Sequence, residues 1–343
     1  MAGILAERFQ NEDAARAHME RTFWPDGPVC PHCGIIGEAF RLEEQDGLPA
    51  TEKRKAKKFK THARKGVWKC SACREQFTVT IGTIFEDSKI PLHKWLLAIH
   101  LMCSSKKGMS AHQLWRNLWG VNPETGKVNG SYRTAWFMGH RIRWALGQEP
   151  IAEKLSGIVE IDETYVGGKR RYPQAHAVKP GQRAQDRLSP FADKAPVLTV
   201  LQRDGEVRSQ YVERVTSKNL KPIIEGLINT ETAHMITDSS TVLESVPMKH
   251  KHSQVNHNQK EYVRREDGVL ITTNTVESYF ATLKRGINGV YHHVSKNYLD
   301  QYLREFDYRH NIRKMDDDAR ATVALKKTRG RRLMLRDPKE RAE

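Results

Sequence analysis

Three acidic residues, Asp162, Asp238 and Glu277, stand where side-chain type and neighbours suit metal-assisted chemistry. Asp162 closes the run Gly157-Ile-Val-Glu-Ile-Asp162, in which Ile158, Glu160 and Asp162 alternate with Val159 and Ile161, the pattern of a strand. Asp238 closes a second short strand, Ala233–Thr237, and Glu277 opens a helical stretch from Thr275 to Arg285. Two strand-end aspartates and a helix-borne glutamate are expected to converge at one edge of a mixed sheet. Convergent carboxylate oxygens suit Mg²⁺ or Mn²⁺. Two such ions about 4 Å apart can activate an attacking oxygen and stabilise a leaving one. At about 100° per residue, Val276, Phe280 and Leu283 form an apolar stripe, with Glu277 and Lys284 about 20° apart on its edge. One helix can therefore carry a metal ligand and a cation on one side. A single acid is ordinarily a solvated surface charge; the apolar runs before Asp162 and Asp238 argue against that.

A second constellation is Cys30-x-x-Cys33 with Cys70-x-x-Cys73. Each pair forms a tight turn that aims two sulfurs at one point, and two pairs make a four-thiolate tetrahedral site for a structural Zn²⁺. Redox CxxC motifs occur singly on a βα unit, which disfavours a redox pair. The 36 residues between Cys33 and Cys70 exceed a minimal ribbon, and the excess reads as a projecting loop. From Thr51 to Arg74 there are ten Lys/Arg against one acid, Glu52. Phe77 and Val79 suggest a packing strand after the second pair. The fifth cysteine, Cys103, lies in an apolar run and reads as a small buried hydrophobe.

The chain has 343 residues, enough for two or three domains, with 57 Lys+Arg against 41 Asp+Glu and a net charge of +16. Such a surplus favours a polyanionic partner through counterion release, and double-stranded DNA is expected. Apolar runs fall short of the roughly 20 residues of a membrane helix, and the charged N-terminus lacks a signal-peptide core. A cytoplasmic, nucleoid-associated setting is expected. The organisation reads as an N-terminal helix (1–25), a zinc ribbon with a basic insert (26–87), a helical DNA-binding region (88–150), an α/β catalytic domain (151–315) and a basic tail (316–343), loosely helical or disordered from Ala319. Within the helical region, Ser110–Leu114 and Ser131–Leu146 suggest a helix-turn-helix, with Arg133, His140, Arg141 and Arg143 on the recognition helix. Trp115, Trp119, Trp136 and Trp144 read as core. A basic loop, 169–194, separates the first acidic strand from the next.

These motifs resemble, over roughly residues 23–313, insertion-sequence transposases with an N-terminal zinc ribbon and a DDE-type, RNase H-like catalytic domain, the ISXO-like group. The resemblance rests on Cys30-Pro31-His32-Cys33-Gly34, on Trp68-Lys69-Cys70 with Cys73, on Phe77 to Phe85, and on Val159 to Lys169. It continues through Thr237-Asp238, Asn274-Thr275-Val276-Glu277, Lys284, Gly289 to Ser295, Tyr302 to Phe306, and Arg309 to Arg313. It implies Asp162, Asp238 and Glu277 as ligands of two catalytic ions and Lys284 as the family's lysine. Asn274 remains a competitor to Glu277, and Glu163 to Asp162. Arg285, His292 and His293 are candidates to approach phosphates. The resemblance implies recognition of element ends, phosphodiester cleavage and strand transfer by a homo-oligomer on DNA. The alternatives are a zinc-ribbon DNA-binding regulator without catalysis and an RNase H-like metal nuclease that cuts without joining.

Overall fold

The structure, a computed structural model, describes residues 3–42, 65–147, 153–167, 194–239, 243 and 251–332. The basic insert from 43 to 64, the loop from 168 to 193 and the last residues of the expected tail, 333–343, lie outside the described residues. The chain divides into two compact units, one of Met1–Ser104, Ala111–Ala145 and Asp316–Glu343, the other of Ser105–Ser110 and Leu146–Met315.

The first unit starts with α1 (Glu12–Phe23). Asn11 caps it by accepting the N–H groups of Asp13 and Ala14 at 2.8 and 3.1 Å, and Glu12 and Asp13 complement the helix dipole. Ala15, Met19 and Phe23, four apart, form its buried stripe. The ribbon strands β1 (Ala39–Arg41), β2 (Trp68–Cys70) and β3 (Gln76–Phe77) form an antiparallel sheet. Then come α2 (Leu92–Ser104), α3 (Ala111–Trp119) and α4 (Tyr132–Leu146). Cys103 is 1 % exposed in α2, among that helix's buried apolar residues.

Two expectations change here. The segment from Asp316 is not a loose tail at its start. It forms α8 (Asp317–Lys326), capped by Asp316, whose side chain accepts from the N–H groups of Asp318 and Ala319 at 2.9 Å each. Ala324 and Leu325 are buried, and Arg8 pairs with Asp318, so the helix belongs to the first unit. The turn between α3 and α4 also differs. It runs from Gly120 to Ser131, closed by a Val121–Val128 bridge and by Asn122, whose side chain accepts from the N–H groups of Glu124 and Thr125. A helix-turn-helix uses a turn of about three or four residues. The two helices are present, but the compact turn is replaced by a small hairpin.

The second unit is built on a five-stranded mixed sheet of order β6-β5-β4-β7-β8. Strand β5 (Ala195–Gln202) runs antiparallel to both of its neighbours, β4 (Ile158–Val166) and β6 (Val207–Tyr211). Strands β7 (His234–Asp238) and β8 (Lys251–Val255) run parallel to β4. Alternation along the strands gives two apolar faces. On one, Val159, Ile161, Val200 and Met235 pack with Leu220 and Ile224 of α5 (Ser217–Leu227). On the other, Val166, Val197 and Leu201 pack with Val276, Phe280 and Leu283 of α6 (Asn274–Gly286) and Leu299, Leu303 and Phe306 of α7 (Lys296–Asn311). Between β8 and α6 lies a hairpin of β9 (Arg264–Glu266) and β10 (Val269–Ile271), turned by Asp267 and Gly268 at positive φ. None of the described helices is long and apolar enough to cross a membrane.

Helix α7 covers the open edge of the sheet. Its Asn311, Asp307 and Asp300 side chains accept the N–H groups of Val207, Ser209 and Tyr211, each at 2.8 Å. These alternate residues are the outward donors of edge strand β6, and their acceptors share one helical stripe. An edge so satisfied cannot recruit a foreign strand. Asn311 also donates to the Val207 carbonyl at 3.1 Å. Replacing Asn311 by Ala strands a buried donor and acceptor and is expected to cost about 1–3 kcal/mol in urea unfolding; a change under about 0.5 kcal/mol would mean that water replaces the side chain without loss.

Candidate functional site

The ribbon gathers the four cysteines. All four Sγ atoms lie within 4.8 Å of one another, with Cys30–Cys73 and Cys33–Cys70 at 3.6 Å. A tetrahedron of Zn–S bonds near 2.3 Å has edges of about 3.8 Å, so the donor set fits zinc. Two matching turns build it. The Gly34 N–H donates to the Cys30 carbonyl at 2.9 Å, and the Arg74 N–H to the Cys70 carbonyl at 3.1 Å. The residue after each second cysteine is left-handed, Gly34 at φ 77° and Arg74 at φ 66°. The backbone N–H of Cys73, and then that of Ala72, point at the Cys70 sulfur and lower its thiol to about 7 against the opposing effect of burial. Trp24 packs edge-on against Trp68 and Phe77 beside the cysteines, and the Trp68 indole N–H donates to Glu20 at 3.0 Å, tying the ribbon to α1.

In the second unit, β4 and β7 set the acidic edge. Their parallel register runs from Ile158–His234 to Ile161–Thr237, and its next step brings Asp162 level with Asp238, the last residue of β7. Asp162 does not end its strand, as the sequence suggested. Glu163 to Val166 continue the ladder with β5, and Asp162 pairs with Thr199. The polar run after Asp162 hid this continuation. Asp162 shares a face with Glu160, and Glu160 in turn meets the first turn of α6, which carries Glu277. The Asp162 carboxyl is pushed up to about 8, first by burial, then by repulsion from Asp238, Glu163 and Glu277. Glu163 is likewise raised by burial and by Asp238, and its Oε2 is buried with no hydrogen-bond partner. Asp162, Asp238 and Glu277, half-buried to exposed and mutually repelling, are a donor set for a hard cation. It is more open than the ribbon site: among the described residues, only the four cysteines form a ligand group closed within 4.8 Å.

The remaining expected residues are distributed unequally. The Glu277 side chain is 49 % exposed and accepts from Thr273 Oγ1 at 3.2 Å. His257 Nε2 lies 3.8 Å from the same Glu277 oxygen. Sequence reading missed His257, because it sits 20 residues away in a short 3₁₀ turn with no motif around it. Asn274, the first residue of α6, is exposed. Lys284 and Arg285 are exposed in the last turn of α6, with Arg285 Nε donating to the Ala281 carbonyl at 2.9 Å. His292 and His293 are exposed just after a π-helical turn, Ile287–Tyr291. In the first unit Arg133 is exposed on α4, its guanidinium 5.7 Å from the Phe137 ring. Arg143, expected to face DNA, is instead 3 % exposed and His140 8 %. Arg141 donates to the Ile84 carbonyl at 2.9 Å. The inward face of the amphipathic α4 claims these side chains.

Residues 154–311 match the ISXO2-like transposase domain, and residues 10–76 match the transposase zinc-ribbon domain. The chain carries an ISXO2-like transposase domain behind a transposase zinc ribbon. A relative is 26 % identical over 259 residues, covering 74 % of this chain and 82 % of its own length. It is described as an uncharacterized protein in transposable element ISH50 of Halobacterium salinarum (strain ATCC 700922 / JCM 11081 / NRC-1). No solved structure matches. The transposase domain coincides with the five-stranded sheet and its flanking helices, and the zinc-ribbon match ends at Gln76, just past the fourth cysteine.

Two expectations follow for the two donor sets. A Cβ at Gly34 meets nothing within 4 Å, so Gly34→Ala carries only the left-handed backbone cost of about 1–2 kcal/mol. Zinc should leave that variant at lower chelator concentration, and Arg74→Gly should shift release the other way. The Asp162 carboxyl rises from an ordinary 3.8 to about 8 on folding. The folded state thus binds the extra proton, and stability is lost as pH climbs from about 4 through about 8. In magnesium-free buffer, Asp162→Asn should flatten this slope and unfold at higher urea than the native chain at pH 8.5. Equal slopes for the two proteins would mean that Asp162 titrates normally.

Proposed function

We propose that the sheet unit is an RNase H-like DDE catalytic domain that cuts DNA at the ends of an insertion sequence and joins the freed 3′-OH to target DNA. Three strands in an antiparallel meander followed by two that run parallel to β4, with helices on both faces, suit that fold. The observation that carries the reading is the parallel register that brings Asp162 level with Asp238, with Glu277 near enough to add to the repulsion on the half-buried Asp162 carboxyl. Asp162, Asp238 and Glu277 would hold two Mg²⁺ or Mn²⁺ ions, which supply activation of the attacking oxygen and stabilisation of the leaving oxygen. Glu163 is the nearest alternative ligand. The rest of the work falls to positioning by the chain itself. Lys284, two turns along α6 from Glu277, neutralises a phosphate oxygen and holds the strand along the helix. Arg285, His292 and His293 extend that cationic edge, and Arg133 supplies an exposed cation on the first unit. The ribbon, held by a structural Zn²⁺ on Cys30, Cys33, Cys70 and Cys73, serves recognition of the element ends. The net charge of +16 fits a double-stranded DNA partner. Two ends must be handled in one event, so a homo-oligomer assembled on DNA is part of the reading.

A strand-transfer assay with a labelled pair of element ends and Mg²⁺ tests it. Joined product is expected from the native chain, with Asp238→Asn abolishing cutting and joining while still retarding end DNA in a gel. Cut ends without joining would make the protein a metal nuclease, and retardation alone a DNA-binding regulator. Undiminished joining by Asp238→Asn would remove the carboxylate assignment.

A further inference from the structure

One carboxylate on the acidic face is not spent on repulsion. Glu160, two residues before Asp162 on β4, is 0 % exposed. Its Oε2 accepts the backbone N–H groups of Thr275 and Val276 at 2.9 and 3.0 Å. Its Oε1 accepts from Thr275 Oγ1 at 2.9 Å and from Arg203 Nη2 and Nε at 2.7 and 3.1 Å. Arg203 continues outward, its Nη1 donating to the Leu270 carbonyl at 2.8 Å and Nη2 to that of Thr272 at 3.3 Å. A fully buried charge is tolerable only when paired and hydrogen-bonded, and this one has both, with a helix N-terminus added.

The consequence is geometric. Along a strand, residues two apart are separated by about 7 Å on one face. Along a helix, Thr275, Val276 and Glu277 advance by about 1.5 Å each. The clamp therefore fixes the first turn of α6 to the stretch of β4 adjoining Asp162. No other tie in the described residues links the Asp162 face of β4 to the backbone N–H groups of that turn as directly. The Thr273 side chain, which touches Glu277 at 3.2 Å, lies in the same short stretch. The exposed Glu277 side chain has little packing of its own to hold it.

We infer that Glu160, with Arg203, is a positioning residue that anchors the first turn of α6, and with it Glu277, on the side of Asp162 and Asp238 where the three can share divalent cations. This rests on the proposed reading of those three carboxylates as the metal-holding set. Glu160 itself touches no reacting atom; it acts through α6. Groups that orient a metal ligand are worth about 10–100-fold in metal affinity.

The test uses the full-length, zinc-loaded chain and Mn²⁺ as the probe, with free Mn²⁺ measured by electron paramagnetic resonance. Glu160→Gln keeps the side-chain shape, loses the charge and turns a donor toward Arg203. It is expected to weaken Mn²⁺ binding about 10–100-fold and to speed hydrogen exchange at the Thr275 and Val276 amides. Asp238→Asn is the reference that loses binding through a ligand. If Glu160→Gln does not fold, judged by its thermal transition, Thr275→Val removes a single donor to Glu160 and should weaken Mn²⁺ binding several-fold in the same direction. A folded Glu160→Gln, or failing that Thr275→Val, with native Mn²⁺ affinity while Asp238→Asn has lost it overturns the clamp alone. Lowered thermal stability with native affinity would reduce Glu160 to a structural cap and equally overturn the inference. Native affinity in Asp238→Asn overturns the metal-site reading, and the clamp's role falls with it.

Discussion

The parallel pairing of β4 with β7 is the constraint on which the acidic edge depends. It makes Asp162 and Asp238 neighbours across a ladder, although 75 residues lie between them. A one-residue slip would send Asp162 to the opposite face, because strand side chains alternate. The register is held by burial on both sides. Val159, Ile161 and Met235 are locked into the α5 core, and Val166, Val197 and Leu201 into the α6–α7 core. Apolar packing on two faces thus fixes where the polar edge must be.

Glu160 and Asp162, two residues apart on one face, show opposite electrostatic treatment. Glu160 receives two backbone N–H groups, a hydroxyl and a guanidinium. Asp162 receives the Glu163 N–H at 2.7 Å and otherwise faces burial and three other carboxylates. A sequence optimised only for stability would not keep the second arrangement, since gathering carboxylates in a half-buried site disfavours their charged forms without a partner to offset it. The cysteines differ again. Their turns are local, each closed by its own backbone hydrogen bonds, and thiols accept close approach in a way that carboxylates do not.

What the sequence made legible follows the range of each interaction. The CxxC turns are local, so their spacing carried the ribbon directly. Strands β4, β5 and β7 and helices α5 and α6 were readable because apolar periodicity survives on their buried faces. Strand β8, Lys-His-Ser-Gln-Val, is polar at most positions and gave no such signal, while the β9–β10 hairpin did offer Asp267-Gly268, a turn signal that went unread. Asp162 was placed at a strand end because Glu163-Thr164-Tyr165 breaks the apolar pattern, yet backbone pairing with β5 carries the strand onward. Arg143 and His140 looked like DNA contacts from composition alone. Their burial depends on which face of α4 turns inward, and in a helix with apolar residues all along its length that face was ambiguous. His257 could not have been found, since its nearness to Glu277 is made entirely by the fold.

Helix α6 links these observations, because it is fixed at both ends. Its first turn is held by Glu160. At its last residue, a Cβ on Gly286 would come within 2.4 Å of the Phe306 ring and 2.7 Å of the Lys107 carbonyl, so the backbone packs there without room for any side chain. A helix pinned at each end cannot slide or rotate, and Glu277 and Lys284 keep a set separation of about 10 Å along its axis on nearly the same side. That span is too long for both groups to meet one atom. Whatever polyanion lies along this helix must meet the carboxylate and the ammonium at different points along its backbone, so the two groups divide the work by position and not by chemistry at a shared centre.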